Sequence, residues 1–343
     1  MLKKRYIIVA ITIGIMVLQS GTFAQGVTKT GTTAAKFLSI GIGPRANAMG
    51  GSFSSVADDA TAMYWNPAGL SQLQNKQVIF TQADWLADIS INYVGLALPV
   101  GSFGTLGINA TAMTMGDMEI TTELLPEGTG QKFSAGMYAF GISYARNLTQ
   151  NFMIGANFKY VREDISQSKA TGLAIDLGTL FITPFYGVRF SSSISNFGSK
   201  MQMRGDDLLI RHDPDEQREG NNEKVDAYYA TEKYDLPLRL QIGVSRRFEI
   251  MPGYAFTFAA DAAHPNDNTE YVNVGGELSM LNNMFMLRGG FKTLFMEDRE
   301  EGLTLGAGFN FNQLGYFDLK LDYSFQQFEY LNDVHTFGFL LSF

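Results

Sequence analysis

Three histidines, His212, His264 and His335, are the side chains of this sequence best suited to acid–base chemistry near neutral pH. None lies at the spacing that places two metal ligands on one helix face, and no Gly-x-Ser-x-Gly turn or phosphate-binding glycine loop accompanies them. A histidine beside a serine from a different segment could support acyl hydrolysis. Because the usual motifs are missing, we interpret the histidines as loop or surface residues. The sequence predicts no enzyme activity, no metal site and no cofactor.

A second set of candidate site residues consists of charged side chains at alternate positions of otherwise apolar segments. They could line a polar permeation path, or they could pair with one another and with a segment that fills the space between them. We favour pairing, because a buried charge without a partner is costly. The residues are Lys159, Asp176, Arg239, Asp261, Glu277, Arg288, Lys292, Asp318, Lys320 and Asp322.

The composition excludes several other classes of site. The 343 residues include no cysteine, so thiolate metal sites, disulfides and cysteine nucleophiles are excluded. A formal charge of -8 argues against a nucleic-acid partner, because phosphates require a basic surface. Hydrophobic residues make up 45% of the chain, which is too many for a disordered protein.

The first 24 residues have the features of a secretory signal peptide. Lys3, Lys4 and Arg5 precede an apolar run from Tyr6 to Leu18, and small residues follow it. The alternative is a membrane anchor, but the run is shorter than the ~20 residues that a spanning helix needs. We therefore predict a signal peptide over residues 1–24.

A two-residue alternation of apolar and polar side chains runs through most of the sequence after residue 76. Near the end, Phe337, Phe339 and Phe343 alternate with smaller or more polar residues. This period predicts β-strands, and lengths of about ten to thirteen residues suit tilted strands that cross a bilayer. A soluble sandwich would use shorter strands. The fourteen segments lie near residues 78–84, 90–100, 103–115, 136–146, 151–164, 170–183, 185–196, 236–248, 253–263, 270–281, 284–296, 302–313, 315–328 and 334–343.

The connections between these segments fall into two groups. Short ones, such as Gly101-Ser102 and Asn282-Asn283, lie at one end, and the two long ones, 116–135 and 197–235, lie together at the other. Short periplasmic turns opposite longer extracellular loops are typical of outer-membrane barrels. Within hydrocarbon, only a closed barrel pairs all the backbone groups of a strand. The sequence predicts an all-β, antiparallel transmembrane barrel of about fourteen strands over residues 77–343, in the outer membrane.

Residues 25–76 are rich in Gly and Ala and lack the alternation. Ser55 with Asp58 resembles a capping box, and residues 58–65 predict two turns of helix. A fourteen-stranded barrel encloses a lumen that its own side chains cannot fill. A disordered tail is the alternative, but the large apolar residues favour burial. We predict an N-terminal plug with the motif Asp58, Asp59, Trp65, Asn66, Pro67, Ala68 and Gly69.

Several stretches carry a similarity to known proteins, among them Gly43-Pro44-Arg45-Ala46-Asn47-Ala48-Met49-Gly50-Gly51, residues 56–62, Trp65-Asn66-Pro67-Ala68-Gly69-Leu70, Leu236-Pro237-Leu238-Arg239-Leu240, residues 264–268, Arg288-Gly289-Gly290-Phe291-Lys292 and residues 302–308. They resemble the PorV/PorQ family of Bacteroidota-type outer-membrane proteins, which is related to FadL-like fatty-acid transporters. The resemblance implies a plugged fourteen-stranded barrel, with Asn66, Pro67 and Ala68 matching the plug tripeptide. One departure is Pro44, where the family more often has alanine.

The resemblance also implies a function. PorV-like proteins serve type IX secretion, so we expect partners in a secretion translocon, in secreted proteins with C-terminal sorting domains and in outer-membrane lipid. The alternative is a FadL-like transporter of hydrophobic small molecules. The charged inner face lacks the apolar tunnel that a fatty acid needs, and loop aromatics such as Phe133 and Tyr228 suit a protein-binding surface.

Overall fold

A computed structural model of the chain describes residues 29–214, 225–296, 299–311 and 317–343. The predicted signal peptide, the central part of the longest loop (215–224) and the predicted turn at Leu314 lie outside the described residues.

Fourteen long strands follow one another along the chain, within a few residues of the predicted bounds. They are β1 (Gln77–Asp84), β2 (Ser90–Pro99), β3 (Thr105–Thr114), β4 (Ala135–Asn147), β5 (Phe152–Ile165), β6 (Ser168–Ile182), β7 (Arg189–Gly198), β8 (Arg239–Met251), β9 (Tyr254–Pro265), β10 (Tyr271–Met280), β11 (Phe285–Leu294), β12 (Glu301–Phe311), β13 (Asp318–Phe328) and β14 (Val334–Ser342).

The strands form a single closed ring. Each pairs antiparallel with the next strand in the chain, and β1 also pairs with β14, from Gln77 opposite Ser342 to Asp84 opposite His335. The ring has no free edge, so every strand has a partner on both sides. The predicted all-β barrel of fourteen antiparallel strands is confirmed.

Side chains alternate between the two faces of the wall, as the sequence pattern indicates. On β14, Phe337 and Phe339 are exposed on the outer face, whereas Thr336 and Leu340 are buried inside. The outer face of the wall is a continuous apolar surface, which is stable only in contact with lipid. Inside, small and polar side chains dominate, and these leave room for another part of the chain.

The two ends of the barrel differ. At the end that we name the turn end, the described connections are short: 100–104, 148–151, 183–188, 252–253 and 281–284. At the opposite end, named the loop end, lie the long connections 115–134 and 199–238. Strand β1 starts and β14 stops at the turn end, where the backbone groups of Lys76 and Phe343 bond each other at 3.0 and 3.1 Å.

The residues before β1 contain only short helical elements. They are a 3₁₀ helix (Lys36–Ser39), α1 (Pro44–Ala48), α2 (Ala62–Trp65) and a second 3₁₀ helix (Pro67–Gln72). We name residues 29–76 the N-terminal segment. Its side chains Met49, Phe53, Met63 and Leu70 are fully buried and belong to the main apolar core. The core thus lies between this segment and the inner face of the wall.

The predicted helix over residues 58–65 is too long. Helix α2 begins only at Ala62, after an Asp59 carboxylate that accepts from the backbone N–H of Thr61 at 2.9 Å. The predicted capping box is also wrong, because the Ser55 hydroxyl makes no hydrogen bond and Asp58 turns towards Arg45. Among the described residues, no helix has the length and apolarity needed to cross a membrane.

Protease treatment of intact cells tests which end of the barrel faces outwards. We expect cleavage within 115–134 or 199–238, because loop-end connections are exposed and long. The turn at 148–151 should stay intact until the outer membrane is opened. Cleavage of that turn in intact cells would reverse the orientation.

Replacing Phe343 by Ala should reduce the amount of folded barrel in the membrane. The residue ends the closing strand, and its ring lies 6.4 Å from that of Phe317 and within 5.8 Å of the Lys76 ammonium. Heat-modifiable migration on gels measures assembly. Phe133→Ala, in a loop hairpin, is the matched control, and equal assembly of both variants would remove any special role for Phe343.

Candidate functional site in the barrel interior

The strongest contact between the N-terminal segment and the wall is an ionic network around Arg45. Its Nε and Nη2 donate to both oxygens of Glu277 on β10, at 2.9 and 3.0 Å. Its Nη1 donates to Asp58 and, at 3.2 Å, to Asp59, both in the N-terminal segment. One buried guanidinium therefore links three carboxylates, and the bidentate geometry fixes its orientation.

The network continues across the wall through Arg288 on β11. Its Nε donates to Glu277 at 2.7 Å and its Nη1 to Asp322 on β13. The predicted residues Asp58, Asp59, Glu277, Arg288 and Asp322 are thus brought together. Two guanidinium groups hold four carboxylates, so loss of either cation leaves uncompensated buried charge.

The network also fixes the protonation of its members in the N-terminal segment. Burial raises the pKa of the Asp58 carboxyl, but the Arg45 guanidinium outweighs this effect and holds that pKa below its ordinary value. Burial lowers the pKa of Arg45, but the three carboxylates together raise it well above the ordinary value. Both groups are charged at neutral pH.

A cavity of about 180 Å³ borders this network. Besides the ionic residues, it is lined by Arg247, Asn283 and Lys320, which lie close to the turn end. Among the described residues, the predicted site residue Lys320 has no carboxylate within 4 Å. Asp318 likewise has no cation within 4 Å among them. The lining is ionic and amide-rich, unlike the apolar pocket of a hydrocarbon site.

Trp65 anchors the N-terminal segment nearer the loop end. Its indole N–H donates to the carbonyl of Ile42 at 2.8 Å, and its ring meets Tyr64 edge-on at 5.1 Å. The Arg239 guanidinium lies 5.8 Å from the Trp65 ring and 5.9 Å from the Tyr64 ring, a cation–π arrangement. Burial raises the pKa of the Tyr64 hydroxyl to about 12, so it stays neutral.

The Asn66-Pro67-Ala68-Gly69 motif docks on β5 and β6 by close backbone approach. The Asn66 amide donates to the carbonyls of Ser54 and Thr179, at 2.9 and 3.0 Å, and its oxygen accepts from the Ala68 N–H. A Cβ on Gly178 would lie 2.0 Å from the Asn66 oxygen, and one on Gly155 2.3 Å from the Pro67 carbonyl carbon. Only glycine fits at these two wall positions.

The remaining predicted interior charges also find partners. Asp261 accepts from the Ser54 N–H at 2.9 Å and from Gln241 at 2.7 Å, and Lys292 lies 3.3 Å from Glu301. Lys159 lies 2.7 Å from Asp176. Pairing within the lumen and with the N-terminal segment thus accounts for most of these residues.

Contacts near the loop end hold the start of the N-terminal segment. The Ala34 N–H donates to the carbonyl of Asp235 in the 199–238 loop at 2.9 Å, and the Ala35 N–H donates to Glu163 at 2.9 Å. Lys36 and Thr33 both donate to the buried Asp267 carboxylate. The segment therefore contacts both ends of the barrel.

Arg45, the centre of the site, was not predicted from the sequence. Neither were Gly155 and Gly178, the glycines on which the Asn66 motif docks. A lone arginine in a Gly/Ala-rich segment, followed by Asp58-Asp59, was the available signal for Arg45. No signal marked the glycines, because their partners lie about 90 or more residues away in the chain.

The histidines lie outside this site. His264 contacts Glu270 at 2.8 Å and His335 contacts the Tyr323 hydroxyl at 2.8 Å, both on exposed surfaces. His212 ends a short strand of the long loop. Within the described ranges, no cluster of three or more His, Cys, Asp or Glu side chains is arranged to hold a metal ion.

Solved structures share this fold at low sequence identity. The toluene transporter TodX of Pseudomonas putida aligns with a TM-score of 0.56 and 12% identity, covering 88% of this chain and 97% of that one. The CymD monoaromatic hydrocarbon channel aligns with a TM-score of 0.53 and 13% identity, covering 88% and 98%. Among curated proteins, none matches the sequence.

Family comparison is more specific than fold comparison. A family model described as the type IX secretion system protein PorV matches residues 23–198, just over half of the chain. Barrel fold and family together assign the protein to the outer membrane. The chain belongs to the PorV family of type IX secretion system proteins.

Proposed function

We propose that this protein serves type IX secretion by binding proteins at its loop end. The partners would be secreted proteins with C-terminal sorting domains and the translocon barrel, in an outer membrane of the Bacteroidota type. The observation that carries this proposal is the 199–238 loop, whose described residues are ordered and, apart from the pairing of Arg204–Gly205 with β6, form no part of the barrel wall.

Several contacts order this loop. Met201 and Tyr234 exchange backbone hydrogen bonds at 2.9 and 3.0 Å across its base. The Asp207 carboxylate accepts from the Gln167 N–H at 2.7 Å and from the hydroxyls of Ser166 and Ser168. Farther out, the strands Leu209–His212 and Val225–Tyr228 pair as a hairpin. A long loop fixed in this way suits recognition, because little entropy is lost on binding.

We further propose that the N-terminal segment plugs the barrel, with residues 25–76 as the plug and 77–343 as the wall. The Arg45 network, the Trp65 contacts and the glycine-docked Asn66 motif support this division. A lumen occupied by ion pairs is a poor path for an apolar solute, since the solute would have to displace those pairs.

Transport of a hydrophobic small molecule is the rival function, suggested by the hydrocarbon channels that share the fold. The interior argues against it, because the cavity beside Arg45 is lined by charges. Exposed aromatics at the loop end, Tyr228 and Tyr229, instead resemble interface anchors.

Native purification tests the proposal against its rival. The protein extracted from its own cells in mild detergent should co-purify with a large outer-membrane translocon or with secreted proteins that carry a C-terminal sorting domain. Isolation without any protein partner, but with a hydrophobic molecule bound in the lumen, would establish the transporter function instead.

A further inference from the structure

Most of the net charge of residues 25–343 lies on the two long loops. Residues 116–135 contain four acidic side chains and one basic side chain, and residues 197–235 contain ten acidic and six basic. Together the two loops carry a formal charge of -7, against -11 for residues 25–343, because the predicted signal peptide contributes +3 to the -8 of the whole chain. Both loops start and stop at the loop end, and their described residues alone contain ten acidic and five basic side chains, so this end of the molecule is acidic.

Much of this charge is not neutralised within the protein. Among the described residues of the two loops, eight exposed carboxylates have no cation within 4 Å. They are Asp117, Glu119, Glu123, Glu127, Asp206, Asp207, Asp226 and Glu232. Like charges held close together in this way create a negative potential that extends beyond the surface.

Exposed apolar side chains lie among these carboxylates. Leu124, at the tip of the 115–134 loop, is 91% exposed, and its neighbour Leu125 is half exposed. The tip is ordered, because Ile120 bonds the backbone of Gln131 and Thr129, each at 2.8 Å, and Thr122 pairs with Leu125. In the longer loop, Tyr228 and Tyr229 are exposed beside Asp226. An apolar centre with a charged surround is the usual composition of a protein-binding surface.

We infer that the loop end binds a protein surface with lysine and arginine side chains around an apolar patch. This inference rests on the proposed function and adds the charge of the partner to it. Electrostatic complementarity would steer the partner to the barrel and reject acidic proteins, while the leucines and tyrosines supply the desolvated contact.

The alternative occupant is membrane lipid, whose phosphates are anionic. Acidic loops repel phosphates unless divalent cations bridge them, and a lipid headgroup offers no apolar surface for a side chain as exposed as Leu124. A basic protein surface can pair with the carboxylates and bury the leucines without any bridging ion. The observations therefore favour a protein.

Charge-neutral variants of the full-length protein in detergent test the inference. The test variant carries Asp117→Asn, Glu119→Gln, Glu123→Gln and Glu127→Gln. The matched control carries Asp84→Asn, Asp88→Asn, Glu300→Gln and Glu329→Gln, which remove the same charge from exposed positions at the same end of the barrel but outside the two long loops, so a difference between the two variants reports on the long loops and not on the total charge of that end. The probe is a purified C-terminal sorting domain from a secreted protein of the same cells, either unmodified or with its lysines acetylated.

We expect the affinity of the native protein for the unmodified probe to fall about tenfold or more between low and high salt. The test variant should bind about tenfold more weakly at low salt and lose most of the salt dependence, whereas the control variant should match the native protein. Acetylated probe should bind as weakly as unmodified probe binds the test variant.

Two results would overturn the inference. Undiminished binding by the test variant would refute the charge argument while leaving protein binding intact. Binding of anionic vesicles with calcium, but not of the sorting domain, would assign the surface to lipid and would refute the proposed function as well.

Discussion

Replacing Arg45 by Ala should release the N-terminal segment from the barrel wall. The substitution leaves the buried Asp59 carboxylate and the partly exposed Asp58 carboxylate without their cation, and leaves the buried Glu277 with Arg288 alone. Breaking a buried ion pair in this way costs about 3–5 kcal/mol, which corresponds to roughly a hundredfold or larger rise in the undocked population. We expect faster proteolysis of residues 29–76 and a higher ion conductance in planar bilayers, while the hydrogen-bonded strands of the barrel stay intact.

Arg162→Ala is the matched control for this experiment. Arg162 also pairs with a carboxylate, Asp164 at 2.7 Å, but the pair is exposed, and exposed pairs contribute little to stability. The control should behave like the native protein. Arg45→Ala with native protease resistance and conductance would show that the network does not hold the segment.

Acidification offers an independent check on the same network. Because the pKa of Asp58 is lowered below its ordinary value of 3.8 by Arg45, its carboxylate stabilises docking above about pH 4. That contribution is lost as the pH falls through the lowered pKa. Conductance of the native protein should therefore rise only under strongly acidic conditions, and Arg45→Ala should weaken this dependence.

The barrel could be predicted from sequence because its signal is local. Alternation such as Phe337 and Phe339 against Thr336 and Leu340 specifies both a strand and its two faces. The strand β8 lies at Arg239–Met251, within three residues of its predicted bounds at each end. Because backbone groups cannot stay unpaired in lipid, the strands must form a closed ring, and the pairing of β1 with β14 closes it.

The partners of the interior charges could not be predicted, because they depend on distances along the chain that no local pattern spans. Arg45 and Glu277 are 232 residues apart. The predicted start of helix α2 was wrong because the Asp58 side chain binds Arg45 and therefore does not cap the helix.

Shortening the 199–238 loop should block secretion without affecting the barrel. Residues 206–229 can be replaced by a short Gly-Ser linker, because the Met201–Tyr234 backbone pair closes the base of the loop on its own. The variant loses the hairpin, Tyr228 and Tyr229, which we place in the binding surface. Few contacts of the described residues in the deleted range reach the wall, apart from those of Asp207, so β7 and β8 should assemble normally.

The location of secreted proteins in cells that carry only this variant tests the central claim most directly. Immunoblots of periplasm and medium should find proteins with C-terminal sorting domains retained in the periplasm, while heat-modifiable migration confirms a folded barrel. A linker of the original length made only of Gly and Ser should fail equally, since it lacks the same side chains. Normal secretion through a correctly assembled, loop-shortened barrel would contradict a protein-binding role for the loop end.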